Sequence, residues 1–391
     1  MTALCVSAQI ASVPMQLMLY GYVPLLSLPM NLLCSMLMPA LLLGGWCTVL
    51  LGMLHPALGA APAHLLAAAA SGFERLSLWA AELQHAIVRL PAPQGAWVLL
   101  FAALLLLLTN RIRYGRWRRQ AVCLLAGALA LAYVPRLVPP SRYVQLDVGQ
   151  GDAALLASGR RAVLVDVGPV DSYEMLRYLR HEGLSVEAVI LSHLDEDHAG
   201  ALETLLSSEV EIPAVITSPR AAQEEAVSEA VQAALAHMNQ MGMTLLEVQR
   251  GDRLAAGGAA IDVLSPDDTL SGSNERSLLL HAEMEDVTFL LTGDLTQESE
   301  PIDIPQADVL KVAHHGSKNA TSDAFVQKAA PRLALISVGA NNRYGHPSGR
   351  VLSSLEDIGA QVLRTDEAGT ITLWLRNGSW RAETYLPEAA R

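Results

Sequence analysis

The stretch 192-SHLDEDHAG-200 decides how this chain is read. Within six positions it sets His193, Asp195, Asp197 and His198. Imidazole nitrogens and carboxylate oxygens together hold divalent metals; carboxylates suit harder ions such as Mn²⁺, and imidazoles suit Zn²⁺ and its neighbours. On an extended segment alternate residues point the same way. His193 and Asp195 can therefore hold one ion, and Asp197 and His198, one step round the turn, a second. Asp294, at the end of 290-LLTGD-294, can bridge the two. Asp197 alone would read as a helix cap in an ordinary surface turn. The four-residue set is what points to a metal centre.

The flanks of this stretch read as layered α/β structure. Short apolar runs at 143–148, 161–168, 186–193, 213–219, 244–249 and 259–265 predict strands, as do 277–286, 287–294, 307–317 and 333–339. Amphipathic segments near 172–183, 221–242, 321–331 and 348–359 predict helices, and 370–386 predicts a hairpin turning at Asn377-Gly378. Strands mixed with covering helices fit an α/β domain over 141–391. Asp166, His193, Asp294, His314 and His346 all fall just after a predicted strand, where rigid sheets present site residues.

Upstream the composition changes. Residues 1–73 contain no Asp, Glu, Lys or Arg; residues 1–140 hold 8 basic and 2 acidic side chains, and the remaining 251 hold 19 and 37, a net of −18. Apolar runs near 1–23, 25–54, 96–110 and 120–138, the first three free of charge, predict membrane helices, the third of them short. The segment near 64–90, with Glu74, Arg75, Glu82, His85 and Arg89, reads as an interfacial amphipathic helix. Gln9, Gln16 and Asn31, set among Pro14, Pro24, Pro29 and Pro39, either line a pore or pack between helices. Arg111, Arg113, Arg116, Arg118 and Arg119 crowd one loop, which the positive-inside rule keeps cytoplasmic. The next helix then leaves the cytoplasm and places the domain from about 141 onward outside it. All four cysteines (Cys5, Cys34, Cys47, Cys123) lie in the apolar half, so a metal in the C-terminal half must be held by His, Asp and Glu.

The motifs 147-DVGQGDA-153, 192-SHLDEDHAG-200, 290-LLTGD-294, 310-LKVAHHGS-317 and 337-SVGANNRYGHP-347 occur in an order and spacing similar to the metallo-β-lactamase superfamily, specifically the ComEC-type competence proteins. Residues 1–138 resemble the end of that family's membrane channel domain. The resemblance implies an αββα sandwich over 141–391, two divalent ions (Mn or Zn), a multi-pass protein of the bacterial inner membrane, and a hydrolase domain outside the cytoplasm. The implied ligands are His193, Asp195, Asp197, His198, Asp294 and His346. Asp197, His314 and His315 are the implied catalytic groups, one of the histidines protonating the leaving group. Asp166 is expected to orient the first motif through hydrogen bonds; Gln150, Asp152, Asn274, Ser317 and Lys318 stand as further site or substrate residues. The superfamily histidine between the first motif and the bridging Asp has only His237 and His281 available here, both within regular structure. That shortage favours Mn²⁺, with Asn274 or Ser277 standing near instead.

The function implied is cleavage of phosphodiesters in one strand of incoming DNA by metal-activated water, while the other strand crosses the membrane. Membrane lipid, other competence proteins and a missing N-terminal channel part are the implied partners. The family's oligonucleotide-fold-like domain has no counterpart upstream of Met1, which suggests a fragment, a split gene product or a truncated homologue. The acidic balance and the three lysines (311, 318, 328) oppose strong backbone binding to DNA. Two rival readings remain: a non-catalytic channel subunit with a relic metal domain, and a metallo-hydrolase of lipid or cell-wall esters.

Overall fold

A computed structural model describes residues 2–83, 87–93, 95–108, 115–223, 227–266 and 272–386. The chain forms two compact units, Met1–Arg136 with Arg180–Gly183, and Leu137–Leu179 with Leu184–Arg391.

In the first unit the helices are α1 (Thr2–Tyr20), α2 (Ser27–Leu54), α3 (Pro56–Glu82), α4 (Gly95–Leu108) and α5 (Gly115–Leu137). Among the described residues, α2 alone is long and apolar enough to cross a membrane, with a mean hydropathy of 1.9 over its apolar window and none of its residues buried. Helices α2 and α3 approach closely through small residues: a Cβ on Gly59 would lie 2.9 Å from Gly52 Cα. The predicted interfacial helix differs from what is observed. Pro56 at the first turn and the His55 Nδ1 cap on the Ala57 N–H start α3 earlier, and it ends at Glu82. Beyond it, strand β2 (Ile87–Arg89) pairs with β1 (Tyr22–Pro24), two strands that the apolar runs concealed. His85, Arg111 and Arg113 lie outside the described residues.

The second unit holds β3 (Arg142–Gln145), β4 (Ala153–Ser158), β5 (Arg161–Val167), β6 (Ser185–Ile190), β7 (Val215–Thr217), β8 (Leu245–Glu247), β9 (Arg253–Ala256), β10 (Ala259–Ser265), β11 (Leu279–Met284), β12 (Val287–Leu291), β13 (Val309–Lys311), β14 (Leu333–Ile336), β15 (Gln361–Arg364), β16 (Ile371–Arg376) and β17 (Ser379–Thr384). One sheet runs β17-β16-β3-β4-β5-β6-β7-β8 and the other β15-β14-β13-β12-β11-β10-β9. Helices α6 (Glu174–Glu182), α7 (Glu196–Ala199), α8 (Leu202–Leu206), α9 (Glu229–Gln240), α10 (Asp323–Ala329), α11 (Gly349–Asp357) and α12 (Thr365–Ala368) complete it.

Three apolar clusters define the layers. In β4, Leu155 joins residues of α6, α8 and α9 on one face, while Leu156 faces Phe289 and Leu280 of the other sheet. A third cluster seats Phe325 of α10 and Leu355 of α11 against Leu310 and Ile336. The result is the expected αββα sandwich. Each such fully buried Leu or Phe contributes roughly 1.5–3 kcal/mol. Strands buried on both faces lack alternation, so 153-AALLAS-158 offers no period-2 signal. The predicted helix at 221–242 begins instead at Glu229, where the Ser228 hydroxyl accepts from the Val231 N–H.

Candidate metal centre

The site gathers loops at strand ends. After β6, Ser192 and His193 lead into α7, which carries Asp197 and His198. Near the end of β5, Asp166 takes φ 57°, and its carboxylate accepts the Ser192 N–H at 2.7 Å and the Ser192 hydroxyl at 2.8 Å. After β13, His314, His315 and Gly316 are all left-handed, with φ of 50°, 54° and 82°. Such a backbone costs about 1–3 kcal/mol at each non-glycine residue and persists where surroundings impose it. The turn before Asp294 needs glycine. Gly293 has φ 50°, and a Cβ there would stand 2.8 Å from Ser192 Cβ and 3.0 Å from Ser277 Cβ.

Hydrogen bonds fix three imidazoles in one tautomer. Asp166 Oδ2 accepts from the Ser192 hydroxyl, so the Ser192 oxygen is left to accept from His193 Nδ1–H at 3.0 Å. His198 Nδ1–H donates to Asp166 Oδ2 at 2.9 Å. His315 Nδ1–H donates to the Ser337 carbonyl at 2.9 Å. All three then turn Nε2 inward. His198 Nε2 lies 3.1 Å from Asp294 Oδ1, and His315 Nε2 lies 3.2 Å from Asp197 Oδ2 and 3.8 Å from Asp294 Oδ2. His193 Nε2 is buried with no hydrogen-bond partner, and buried His198 Nε2 and Asp294 Oδ1 have only each other, at 3.1 Å, in a geometry that makes no good hydrogen bond. Buried polar atoms ordinarily have one. Converging orphan lone pairs with fixed tautomers fit a divalent cation.

Among the described residues the donors fall into three groups that share His198, His193/His198/Asp294, Asp197/His198/His315 and Asp152/Asp166/His198, each with its ligand atoms within 4.8 Å of one another. Burial alone would lower the His198 pKa, but the Asp294 and Asp166 carboxylates outweigh it and raise it well above the ordinary value. His315 is raised likewise, Asp294 and Asp197 overcoming burial. Burial pushes the Asp197 carboxyl up, yet the His315 hydrogen bond and the His198 charge hold it at about 2. Asp294 is held well below the carboxylate range, His198 and His315 overcoming its burial. These histidines thus hold protons where a cation would sit.

His193, Asp197, His198, Asp294 and His315 come together, and Asp166 stands behind them. Asp195 lies 3.6 Å from His193 Nε2 and accepts from the Ser273 hydroxyl. His314 Nε2 is 3.6 Å from Asp294 Oδ2; burial lowers its pKa, which leaves it neutral near pH 7. His346 stands outside all three donor groups, its ring 6.0 Å from that of His314 and stacked on Tyr344. Asp152 lies beneath the site, paired with Lys311 and accepting from Gln145 at 2.8 Å. Gln150 accepts the Gly339 N–H at 3.3 Å, tying two loops. Ser277 accepts the Asp294 N–H, and Asn274 Oδ1 is buried without a partner. Ser317 and Lys318 precede α10, whose cap is Ser322, rather than beginning it; Ser317 is buried, accepting the Asn319 N–H, and the Lys318 carbonyl accepts from Gln297 and Arg350. His237 instead pairs with Glu203, and His281 sits within β11.

Residues missed at the sequence level are Ser192, Ser273, Ser337, Gly293 and Lys311. Lys311 carried a signal: it is one of three lysines, set in an apolar strand. It is 3% exposed, and its Nζ also donates to the Gly293 carbonyl at 3.2 Å.

This sandwich with His and Asp donors at its strand ends defines a metallo-β-lactamase superfamily domain, and residues 146–234 match that superfamily. Residues 1–114 match the Competence protein family, so the chain joins a competence-protein domain to a metallo-β-lactamase domain. Over 424 residues it is 30% identical to ComE operon protein 3 of Bacillus subtilis, covering 99% of this chain and 53% of that protein. It is 28% identical to Competence protein ComA of Neisseria gonorrhoeae over 322 residues, 79% of this chain and 43% of that one. The chain thus spans about half the length of these curated relatives or less. Among solved structures, the metallo-β-lactamase fold protein YhfI of Bacillus subtilis aligns at 15% identity with a TM-score of 0.42, over 60% of this chain and all of YhfI.

Proposed function

We propose that the C-terminal unit is a metal-dependent phosphodiesterase that cuts DNA during uptake across the bacterial inner membrane, on the extracytoplasmic side of a multi-pass protein. The observation that carries this reading is the convergence of buried His193, His198 and Asp294, whose ligand atoms lie within 4.8 Å of one another. His193 and Asp195 would hold one ion, Asp197, His198 and His315 a second, and Asp294 both. Bound divalent cations supply Lewis acidity toward phosphate oxygens and acidify water. Asp166 and Ser192 orient His198 and His193, and Ser337 orients His315. Neutral His314, beside Asp294 and less buried than His315, is placed to accept a proton and pass it to the leaving oxygen. His315, tied at both nitrogens, is better suited to hold an ion than to move a proton. The donor set of carboxylates and imidazoles suits either Mn²⁺ or Zn²⁺. Cations at the site would offset the acidic charge that otherwise repels DNA, and the competence-protein match supports DNA as substrate.

The test uses the full chain in detergent with single-stranded DNA and Mn²⁺. Cleavage that is lost in Asp197→Ala supports the reading. Cleavage that survives in Asp197→Ala rejects it, as does inertness of the Mn²⁺-loaded wild type toward DNA.

A further inference from the structure

The loop after β14, 339-GANNRYGHP-347, carries an aromatic surface that the metal chemistry does not use. Tyr344 is 54% exposed, although an aromatic with only a packing role is covered. Its backbone is held rigid. Asn342 Oδ1 accepts the N–H groups of Tyr344 (3.2 Å) and His346 (3.0 Å), and Asn342 Nδ2 donates to the carbonyls of Gly339 (3.1 Å) and His346 (2.7 Å). That is the full hydrogen-bonding capacity of an asparagine side chain in its usual roles. The ring is fixed as well. The Arg343 guanidinium donates to the Tyr344 hydroxyl at 3.0 Å and sits 5.1 Å from the ring centre.

From this ring an unbroken series leads inward. Tyr344 lies 5.8 Å from His346 at 16° between planes, His346 lies 6.0 Å from His314, and His314 faces Asp294. A half-exposed aromatic with a cation over its ring, two ring-steps from a centre suited to phosphate, offers the aromatic and basic surface on which nucleobases stack without their sequence being read. The cation also stands out locally, because the surrounding domain is strongly acidic.

We propose that Tyr344, with Arg343 on its rim, is the base-stacking subsite of the metal centre and takes the nucleobase attached to the phosphodiester being cut. This rests on the phosphodiesterase reading above and deepens it. It makes the substrate a nucleotide rather than a lipid or cell-wall ester.

The test compares two chromogenic esters on the full chain with Mn²⁺: thymidine 3′-(p-nitrophenyl phosphate), which has a base, and methyl p-nitrophenyl phosphate, which has none. The wild type should prefer the thymidine ester. In Tyr344→Ala the ratio of the two kcat/KM values should fall about tenfold or more, the effect of losing one base–aromatic stack, and Tyr344→Phe should keep it. Equal losses on both esters would mark the loop as a scaffold and overturn the proposal, as would an unchanged ratio. Binding of thymidine 3′-phosphate against methyl phosphate to Mn²⁺-loaded protein is measured alongside. If neither ester nor single-stranded DNA is cleaved, the phosphodiesterase reading fails. The binding ratio then decides the subsite by itself: loss in Tyr344→Ala supports it, and no change rejects it.

Discussion

Asp166→Asn changes no volume, yet should reverse two imidazoles. Asp166 Oδ1 accepts a backbone N–H from Ser192, which can only donate, so the new amide must keep its oxygen there. Its NH₂ then occupies the Oδ2 position, where Asp166 now accepts from Ser192 Oγ and His198 Nδ1. Facing a donor, His198 Nδ1 must give up its hydrogen, which leaves the ring's one proton on Nε2, the atom aimed at Asp294. The freed Ser192 hydroxyl can donate to His193 Nδ1 and turn that ring over in the same way. Hydrogen bonds to a charged acceptor contribute roughly 1.5–3 kcal/mol each. Restoring the binding tautomer against one of them costs about 3 kcal/mol, on the order of a hundredfold in affinity. Mutating a group behind a metal ligand typically costs 10–100-fold, so the effect should sit at the upper end of that range. The assay is calorimetric or chelator-competition titration of Mn²⁺ into wild type and Asp166→Asn, with thermal melts to confirm folding. A folded variant whose Mn²⁺ affinity stays within about threefold of wild type would refute the tautomer argument.

Further outcomes follow from the same geometry. Lys311→Met leaves Asp152 buried without its cation and should destabilise the domain by about 3–5 kcal/mol in chemical denaturation; the double variant with Asp152→Asn should recover most of this. Gly293→Ala, strained at positive φ and crowded by Ser192, should lose at least about 1–3 kcal/mol together with Mn²⁺ affinity, read by melting and titration. Mn²⁺ binding should strengthen as pH rises, because His198 and His315 release protons to admit the ion; calorimetry in buffers of different ionisation enthalpy should register that release. The sign without metal is opposite. The raised histidines stabilise the fold fully below about pH 6.5, and this is lost as pH climbs through their folded values. Asp197, depressed to about 2, stabilises the fold above about pH 4 and loses that contribution only as pH falls toward 2.

Much of the metal centre was legible because its residues come in tight clusters. The set from His193 to His198 sits in one turn, and Asp294 closes a strand beside a glycine. A layered α/β domain followed from mixed strands and helices, and the αββα order from the family resemblance. Strands β4, β9 and β15 stayed hidden: each has six residues or fewer, and β4, covered by helices on one face and by the other sheet on the other, shows no polar alternation. The choice between His315 and His346 was also beyond the sequence, since both follow strands. Three consecutive left-handed residues turn His315 inward, whereas His346 is drawn onto Tyr344. Supporting groups such as Ser192 and Ser337 carry no pattern, because a serine is recognisable as an orienting hydroxyl only once its partners are in place.

Anomalous diffraction at the manganese edge, from crystals of the full chain grown with Mn²⁺, tests the central claim most directly. We expect a pair of manganese peaks sharing Asp294, one against His193 and the other against His198 and His315. Strong ordered density for the protein with no manganese among these side chains at saturating Mn²⁺ would contradict the account.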